Sequence, residues 1–215
     1  MRHGSLQIAA MTCALLTVAG LAFGQSGRER AVTDATLIAS TDGAHAGATF
    51  RAALTVRLKH GYHVNAHEPL EDFLIPTVLA FELPEGMHIK EIVYPEAALV
   101  VAGGLTEPLS VYEEEFVIGA TIAVDEGVPV GEQTIEGTMR YQACDEKACY
   151  RPTKVAVTLT FAVVPRDRPL TPQHEDLFAS IAFSGEAQQS APAVEVATEV
   201  VAAETAAPAK EQAVL

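Results

Sequence analysis

The sequence predicts an all-β protein, an immunoglobulin-like antiparallel β-sandwich followed by a short C-terminal helix and a disordered tail. Three segments, residues 49–58, 134–143 and 154–163, alternate hydrophobic and polar side chains with a period of two. Such alternation is typical of strands that bury one face. Glycine and proline separate seven or more such segments at fairly even spacing, which is typical of a sandwich. The absence of Trp and the close spacing of the last two cysteines distinguish the chain from antibody domains.

The first 24 residues predict a secretory signal peptide. A short basic start is followed by a mostly apolar run over residues 8–21 and by a small-x-small cleavage site at 22–24. The apolar run is shorter than a transmembrane helix requires, so an uncleaved membrane anchor is the weaker alternative. Cleavage would remove Cys13. We therefore expect an exported protein that has no membrane span once the signal is cleaved.

The strongly acidic composition argues against two classes of partner. The chain has 28 Asp and Glu residues against 14 Lys and Arg residues, which gives a net charge of −14. Cleavage of the signal removes one arginine, so the mature net charge becomes −15. A polyanion repels nucleic acids and anionic membrane surfaces. We therefore expect protein partners and no nucleic acid.

The sandwich is predicted at residues 31–165, and a linker with a short helix at 166–184. Further candidate strands lie at 32–39, 62–65, 77–83, 88–94 and 111–124. Thr171 followed by Pro172 predicts the start of the helix, because these residue types favour the N-cap and the first helical position. Residues 185–215 contain no aromatic side chain and are rich in Ala, Val, Glu and Pro, so we expect a low-complexity acidic tail without a fixed structure.

Cys144 and Cys149 lie at the predicted tip of the hairpin that the last two strands form. Extending the alternation of the first strand by one residue places Cys144 on the polar face with Gln142, so we expect an accessible thiol. An exported protein can keep a disulfide between them. So short a loop would gain only about 2 kcal/mol of stability from the bridge. Residue patterns alone leave two roles open, a redox pair and a structural disulfide.

Two other polar groups are candidates for a site. His63 and His67, together with the two cysteines, could in principle form a soft metal site, but their spacing matches no metal-binding signature. We expect these histidines on a solvated strand and turn, and we expect no metal and no cofactor. The acidic run at 113–115 is expected at a solvated strand edge, where charge discourages pairing with other chains.

Four segments, taken in order along the chain, carry a family resemblance. They are Gly-Tyr-His-Val-Asn at 61–65, Leu-Ile-Pro-Thr at 74–77, Pro-Leu-Ser-Val-Tyr-Glu at 108–113, and Arg-Tyr-Gln-Ala-Cys at 140–144 with Cys-Tyr-Arg-Pro at 149–152. Together they resemble the N-terminal periplasmic domain of the DsbD-type thiol:disulfide interchange proteins. The resemblance extends over about residues 31–164, and its most specific part is the Tyr-Gln-x-Cys…Cys-x-x-Pro segment.

The resemblance implies a function and a location. Cys144 and Cys149 would be a redox pair that accepts electrons from a membrane thiol-disulfide reductase and passes them to periplasmic thioredoxin-like proteins, in processes such as cytochrome c biogenesis. Tyr141 and Gln142 would support the pair from the preceding strand. The protein would then be a periplasmic oxidoreductase without a cofactor. The sequence carries neither the membrane domain nor the thioredoxin-like domain of the family, so the reductant would be a separate protein.

In this family a loop with an aromatic residue shields the cysteine pair until a partner docks. The corresponding residues here, 99–104, contain no aromatic side chain. Val100, Val101 and Gly103 are therefore the candidates for a shielding loop. The alternative function is a secreted binding or assembly module of the same fold, in which the bridge between the cysteines is structural.

Overall fold

The computed structural model describes residues 31–101 and 106–185. These residues form twelve strands and one short helix. The elements are β1 (Val32–Ala39), β2 (Ala44–His45), β3 (Ala48–Leu58), β4 (His63–Asn65), β5 (Val78–Glu82), β6 (Met87–Val93), β7 (Ala98–Val100), β8 (Leu109–Glu113), β9 (Glu115–Val124), β10 (Gly131–Tyr141), β11 (Ala143–Cys144), β12 (Thr153–Val164) and α1 (Glu175–Ala179). The prediction of an all-β, immunoglobulin-like sandwich with a short C-terminal helix is confirmed.

The strands form three four-stranded sheets. The first sheet has the order β1-β3-β9-β6, the second β2-β12-β10-β5, and the third β11-β4-β8-β7. Neighbouring strands are antiparallel, except that β2 pairs with β12 in parallel. The first and second sheets form the sandwich, and the third was not anticipated because its strands contain only two to five residues each.

The core lies between the first and second sheets. The hydrophobic positions of the four long strands, β3, β9, β10 and β12, point into one continuous cluster. The rings of Phe50 and Phe161, one from each sheet, lie 4.6 Å apart between centroids. Ile118 and Ile135 are fully buried. Burial of each such side chain contributes roughly 1.5–3 kcal/mol, so this interior accounts for much of the stability of the fold.

The predicted strand at 111–124 is two strands that belong to different sheets. Glu114 adopts a left-handed conformation with φ of 49° and separates β8 from β9. The acidic run is exposed as expected, and Glu115 forms an ion pair with Arg57. The expectation of a strand edge is wrong, because both β8 and β9 have a hydrogen-bonded neighbour on each side. Alternation along one segment cannot reveal that the chain changes sheets.

The helix begins later than predicted. Its N-cap is His174 rather than Thr171, and it has no side-chain cap hydrogen bond. Thr171 and Pro172 contact other residues instead. The backbone N–H of Thr171 donates to Oδ1 of Asp42 (2.8 Å), and Pro172 forms an isolated β-bridge with Thr41. These contacts fix the chain after β12 to the loop between β1 and β2.

The residues after α1 cover the outer face of the first sheet. The guanidinium of Arg51 in β3 lies 4.4 Å from the ring centroid of Phe183. A Cβ added at Gly119 in β9 would lie 2.7 Å from Cγ2 of Ile181 and 2.8 Å from the ring of Phe183. Gly119 therefore provides the space in which this C-terminal cover, residues 181–184, packs. Its last residue, Ser184, donates its backbone N–H to Glu91 (3.0 Å).

Two expectations lie outside the described residues, the signal peptide at 1–24 and the low-complexity tail at 185–215 beyond its first residue. Within residues 31–101 and 106–185, no helix is both long and apolar enough to cross a membrane.

Candidate active site

The hairpin of β10 and β12 ends in a disulfide between Cys144 and Cys149. The two strands pair in continuous register from Gly131↔Val163 to Tyr141↔Thr153. Beyond them the two cysteines lie directly opposite each other with their Cα atoms 4.0 Å apart. The backbone N–H of Tyr150 donates to the carbonyl of Ala143 (2.8 Å), which holds the two sides of the tip together. The sequence thus placed the pair correctly at a hairpin tip.

The two sulfur-bearing residues differ in exposure, and the expectation for Cys144 is wrong. Cys144 is only 1% exposed, whereas Cys149 is exposed. The alternation of β10 stops at Gln142, which lies outside both strands. Cys144 then belongs to β11 of the third sheet, where it pairs with His63 of β4. Extending the period of β10 was therefore invalid, because the chain changes sheets between Tyr141 and Cys144.

Asp145 organises the loop between the cysteines. Its Oδ1 accepts hydrogen bonds from the backbone N–H groups of Lys147 (2.8 Å) and Ala148 (2.9 Å), and its Oδ2 accepts one from the Tyr150 hydroxyl (2.6 Å). The Tyr150 hydrogen bond, followed by these backbone donors, lowers the pKa of Asp145. The same carboxylate raises the pKa of Tyr150. Asp145 is therefore ionised at neutral pH and engaged in loop structure.

Gln142 connects three segments that surround the disulfide. Its Oε1 accepts hydrogen bonds from Nδ2 of Asn65 (3.1 Å) and from the backbone N–H of Ile75 (3.2 Å). Its Nε2 donates to the carbonyl of Tyr150 (3.1 Å). Tyr141, its neighbour, is 2% exposed and belongs to the core of the sandwich. Gln142 thus connects β4, the loop that follows β4 and the segment after the disulfide.

His63 and His67 do not lie on a solvated strand. His63 is 7% exposed and is opposite Cys144 on one side and Glu113 on the other. Its buried Nε2 has no hydrogen-bond partner. Nδ1 of His67 lies 3.0 Å from the carbonyl of Thr77, and its ring stacks on Tyr94 with centroids 3.7 Å apart. In the described part of the chain, no three His, Cys, Asp or Glu side chains are grouped so that they could hold a metal ion.

Burial determines the protonation state of His63. It lowers the pKa of the imidazole, while the negative charges of Glu113 and Asp145 act in the opposite direction and are the smaller effects. His63 is therefore a neutral imidazole at neutral pH.

Residues 34–160, more than half of the chain, match the family described as "Thiol:disulfide interchange protein DsbD, N-terminal". The chain belongs to this family. The match includes the disulfide and most of each of the three sheets of the DsbD N-terminal domain described above. This is therefore a thiol:disulfide interchange domain, as the sequence resemblance implied.

Solved structures of related domains show low sequence identity to this DsbD N-terminal domain. The reduced N-terminal domain of DsbD from Neisseria meningitidis is 14% identical, with a TM-score of 0.39, over 62% of this chain and 91% of that one. The N-terminal periplasmic domain of ScsB from Proteus mirabilis is 15% identical, with a TM-score of 0.41, over 60% of this chain and 49% of that one. A chain in the complex between the DsbD and PilB N-terminal domains from Neisseria meningitidis is 14% identical, with a TM-score of 0.32, over 64% of this chain and 88% of that one. No curated protein is significantly similar in sequence.

The candidates for a shielding loop lie across the third sheet from the disulfide. Val100 is half-buried, pairs with Leu109 in β8 and packs against the small cluster of Leu74, Leu109 and Val111. Its strand is three strand spacings from β11, which corresponds to about 14 Å. Val101 is 62% exposed, and Gly103 lies outside the described residues. The shielding role of this DsbD-type loop stays a prediction.

Sequence reasoning missed two features of this DsbD-type site, the loop-forming role of Asp145 and the burial of His63 beside Cys144. The pattern Asp-x-x-Ala between the cysteines could have indicated the first, because Asp commonly accepts hydrogen bonds from backbone N–H groups two and three residues later. The second had no local signal, since the pairing of β4 with β11 joins residues about eighty positions apart.

Proposed function

We propose that this chain is a periplasmic thiol–disulfide relay. Cys144 and Cys149 would receive electrons from a membrane thiol-disulfide reductase and pass them to periplasmic thioredoxin-like proteins. The observation that carries the proposal is the asymmetry of the disulfide, which presents the exposed Cys149 and keeps Cys144 buried. Thiol–disulfide exchange requires one sulfur that an attacking thiolate can reach, and this arrangement provides one. Family membership supports the same chemistry.

The asymmetry supports the following order of steps for the proposed relay. During reduction, a donor thiolate attacks Sγ of Cys149, a mixed disulfide forms there, and the electron pair of the broken bond leaves on Sγ of Cys144. A second donor thiol then releases Cys149. During oxidation, the Cys149 thiolate attacks the disulfide of an acceptor, and Cys144 resolves the resulting mixed disulfide. Cys149 is thus the sulfur that meets partners, and Cys144 is the resolving sulfur.

The position of the disulfide relative to the core supports a relay over a structural role. Cys144 and Cys149 lie outside the main hydrophobic cluster, and Tyr141 and Gln142 anchor the adjoining segment without using either sulfur. A bridge over so short a loop contributes only about 2 kcal/mol. The core of the sandwich is therefore expected to persist when the disulfide is reduced.

The redox equilibrium of the native protein tests the proposal. The mature chain is equilibrated with graded dithiothreitol buffers, the thiols are alkylated, and the mass shift is measured while circular dichroism monitors the fold. A relay pair is expected to reduce reversibly in the folded state. A pair that stays oxidised at potentials well below about −300 mV, where structural disulfides are found, or that reduces only on unfolding, would reject the relay and leave the binding or assembly module.

A further inference from the structure

We propose that His63 is the proton acceptor for Cys144 in the resolving step, an inference that rests on the relay function proposed above. His63 and Cys144 are directly opposite each other in the antiparallel pair β4–β11. Side chains opposite each other in such a pair point to the same face, with Cβ atoms about 4.5–5.5 Å apart. The imidazole therefore lies beside the sulfur that must lose a proton.

Cys144 and His63 are both buried, so the Cys144 thiol needs a neighbouring side chain to accept its proton. Cys144 is 1% exposed and His63 is 7% exposed. Once the disulfide is reduced, a thiolate at the buried Cys144 would be poorly solvated. Water has little access to remove the proton. Nε2 of His63 is a buried nitrogen that has no hydrogen-bond partner in the oxidised state.

The chemical step is balanced without any further reactant. In the mixed disulfide, the proton of the Cys144 thiol passes to the neutral imidazole of His63. The Cys144 sulfur then attacks Sγ of Cys149, the intramolecular disulfide forms, and the bond between Cys149 and the acceptor breaks. The electron pair of that bond leaves on the acceptor's sulfur, which takes up a proton from the imidazolium or from water.

The charged groups around His63 suit a proton acceptor. Glu113 is opposite His63 in β8, and Asp145 comes directly after Cys144, the last residue of β11. Both stabilise the imidazolium that forms, while burial keeps the imidazole neutral before the transfer. On its own strand, β4, His63 is followed only by Val64 and Asn65, neither of which carries a charge. A general base is most effective when it is neutral at the working pH and stabilised once charged.

The test follows the resolving step with 5,5′-dithiobis(2-nitrobenzoate) as a small acceptor. The reduced mature chain, which lacks Cys13, releases a first thionitrobenzoate when Cys149 attacks and a second when Cys144 resolves the mixed disulfide, and stopped-flow absorbance separates the phases. We expect the rate of the second phase to level off above about pH 6.5, where the imidazole is neutral. A second phase that rises steadily to about pH 9, as a thiol without a base would require, overturns the inference with no variant needed.

Substitution provides the second readout. His63→Gln is expected to slow the second phase on the order of a hundredfold at neutral pH, to remove the plateau, and to leave the first phase unchanged. His45→Gln is the matched control, because His45 is half-buried in β2 and lies in another sheet. An unchanged second phase in His63→Gln overturns the role of His63 while the relay function stands. A wild-type disulfide that cannot be reduced in the folded protein rejects both.

Discussion

At the scale of single residues, the disulfide joins two sulfurs in different surroundings. Cys149 follows a loop that Asp145 shapes through three hydrogen bonds, and it is exposed. Cys144 is enclosed in the third sheet beside His63. Reactivity of a cysteine depends on access and on how easily its thiolate forms. The two cysteines should therefore not be interchangeable.

Single-cysteine variants are expected to reveal this difference. Cys144→Ala leaves the exposed Cys149, which should react readily with 5,5′-dithiobis(2-nitrobenzoate). Cys149→Ala leaves the buried Cys144, which should react on the order of tenfold or more slowly, because the reagent has little access to it and its thiolate is poorly solvated. The rates are measured on folded protein at neutral pH. Equal rates, or a faster reaction of the Cys149→Ala variant, would contradict the assigned order of steps.

His63 is also expected to make stability depend on pH. Its pKa is lowered in the folded protein from 6.5, so below about that pH the unfolded chain binds more protons. The free energy of unfolding should then fall as the pH decreases from neutrality through the folded-state pKa. Asp145, whose pKa is lowered from 3.8, contributes stability that is lost only in a more acidic range.

Denaturant unfolding at a series of pH values separates the two effects. The loss of stability below about pH 6.5 should be smaller in His63→Gln and retained in His45→Gln, whereas the loss below about pH 4 should persist in both. A wild-type stability that is constant between about pH 7 and pH 5 would disprove the altered protonation of His63.

At the scale of elements, the site depends on where strands stop. β10 ends at Tyr141 and the two-residue strand β11 joins the third sheet, so Gln142 marks the transition. Its side chain connects Asn65, Ile75 and Tyr150 across that break. In the first sheet, the C-terminal cover packs into the space that Gly119 leaves. The first place depends on a break between strands, and the second on the absence of a side chain within β9.

Gly119→Ala is expected to displace the C-terminal cover. The new methyl group would lie under 3.0 Å from Ile181 and Phe183, so the variant should lose about 1–3 kcal/mol of unfolding free energy. Gly127→Ala is the control, because nothing lies within 4 Å of a Cβ added there. Denaturant unfolding measures both, and the redox behaviour of the disulfide should not change. If the two variants are equally stable, the cover does not pack on Gly119 in solution.

The sandwich was predictable from sequence where strands are long and bury one face. The alternation at 49–58 and 154–163 corresponds to β3 and β12, and the segment at 32–39 coincides with β1. β2, β7 and β11 escaped prediction because two or three residues cannot express a period. The position of the disulfide at a hairpin tip was also predictable. Which sulfur is buried was not, because the burial of Cys144 depends on its pairing with β4, far away in the sequence.

At the scale of the whole molecule, the disulfide lies outside the main hydrophobic cluster. The main hydrophobic cluster comes mostly from the two sandwich sheets, with Val64, Tyr112 and Ala143 added by the third sheet, and it does not contain either cysteine. The third sheet adds the disulfide and the small cluster of Leu74, Leu109 and Val111. A change of oxidation state at the hairpin tip therefore leaves most of the buried apolar surface in place.

Reduction is expected to lower the unfolding free energy by about 2 kcal/mol without unfolding the protein. Urea unfolding with and without dithiothreitol measures the difference, and the far-ultraviolet circular dichroism of the native state should be the same in both. Cys144→Ala/Cys149→Ala, which lacks the bridge under all conditions, should match the reduced protein. Loss of the β signal on reduction would indicate that the disulfide is required for the fold.

Two of the junctions that connect the third sheet to the sandwich contain one residue each, Glu114 between β8 and β9 and Gln142 between β10 and β11. Neither is long enough to act as a tether on which the disulfide could swing. A carrier that serves two partners must bring the same sulfur to each of them in turn. Under the relay proposed above, the sandwich reorients together with its disulfide between partners, so viscosity and crowding of the surrounding medium should influence the frequency of its encounters.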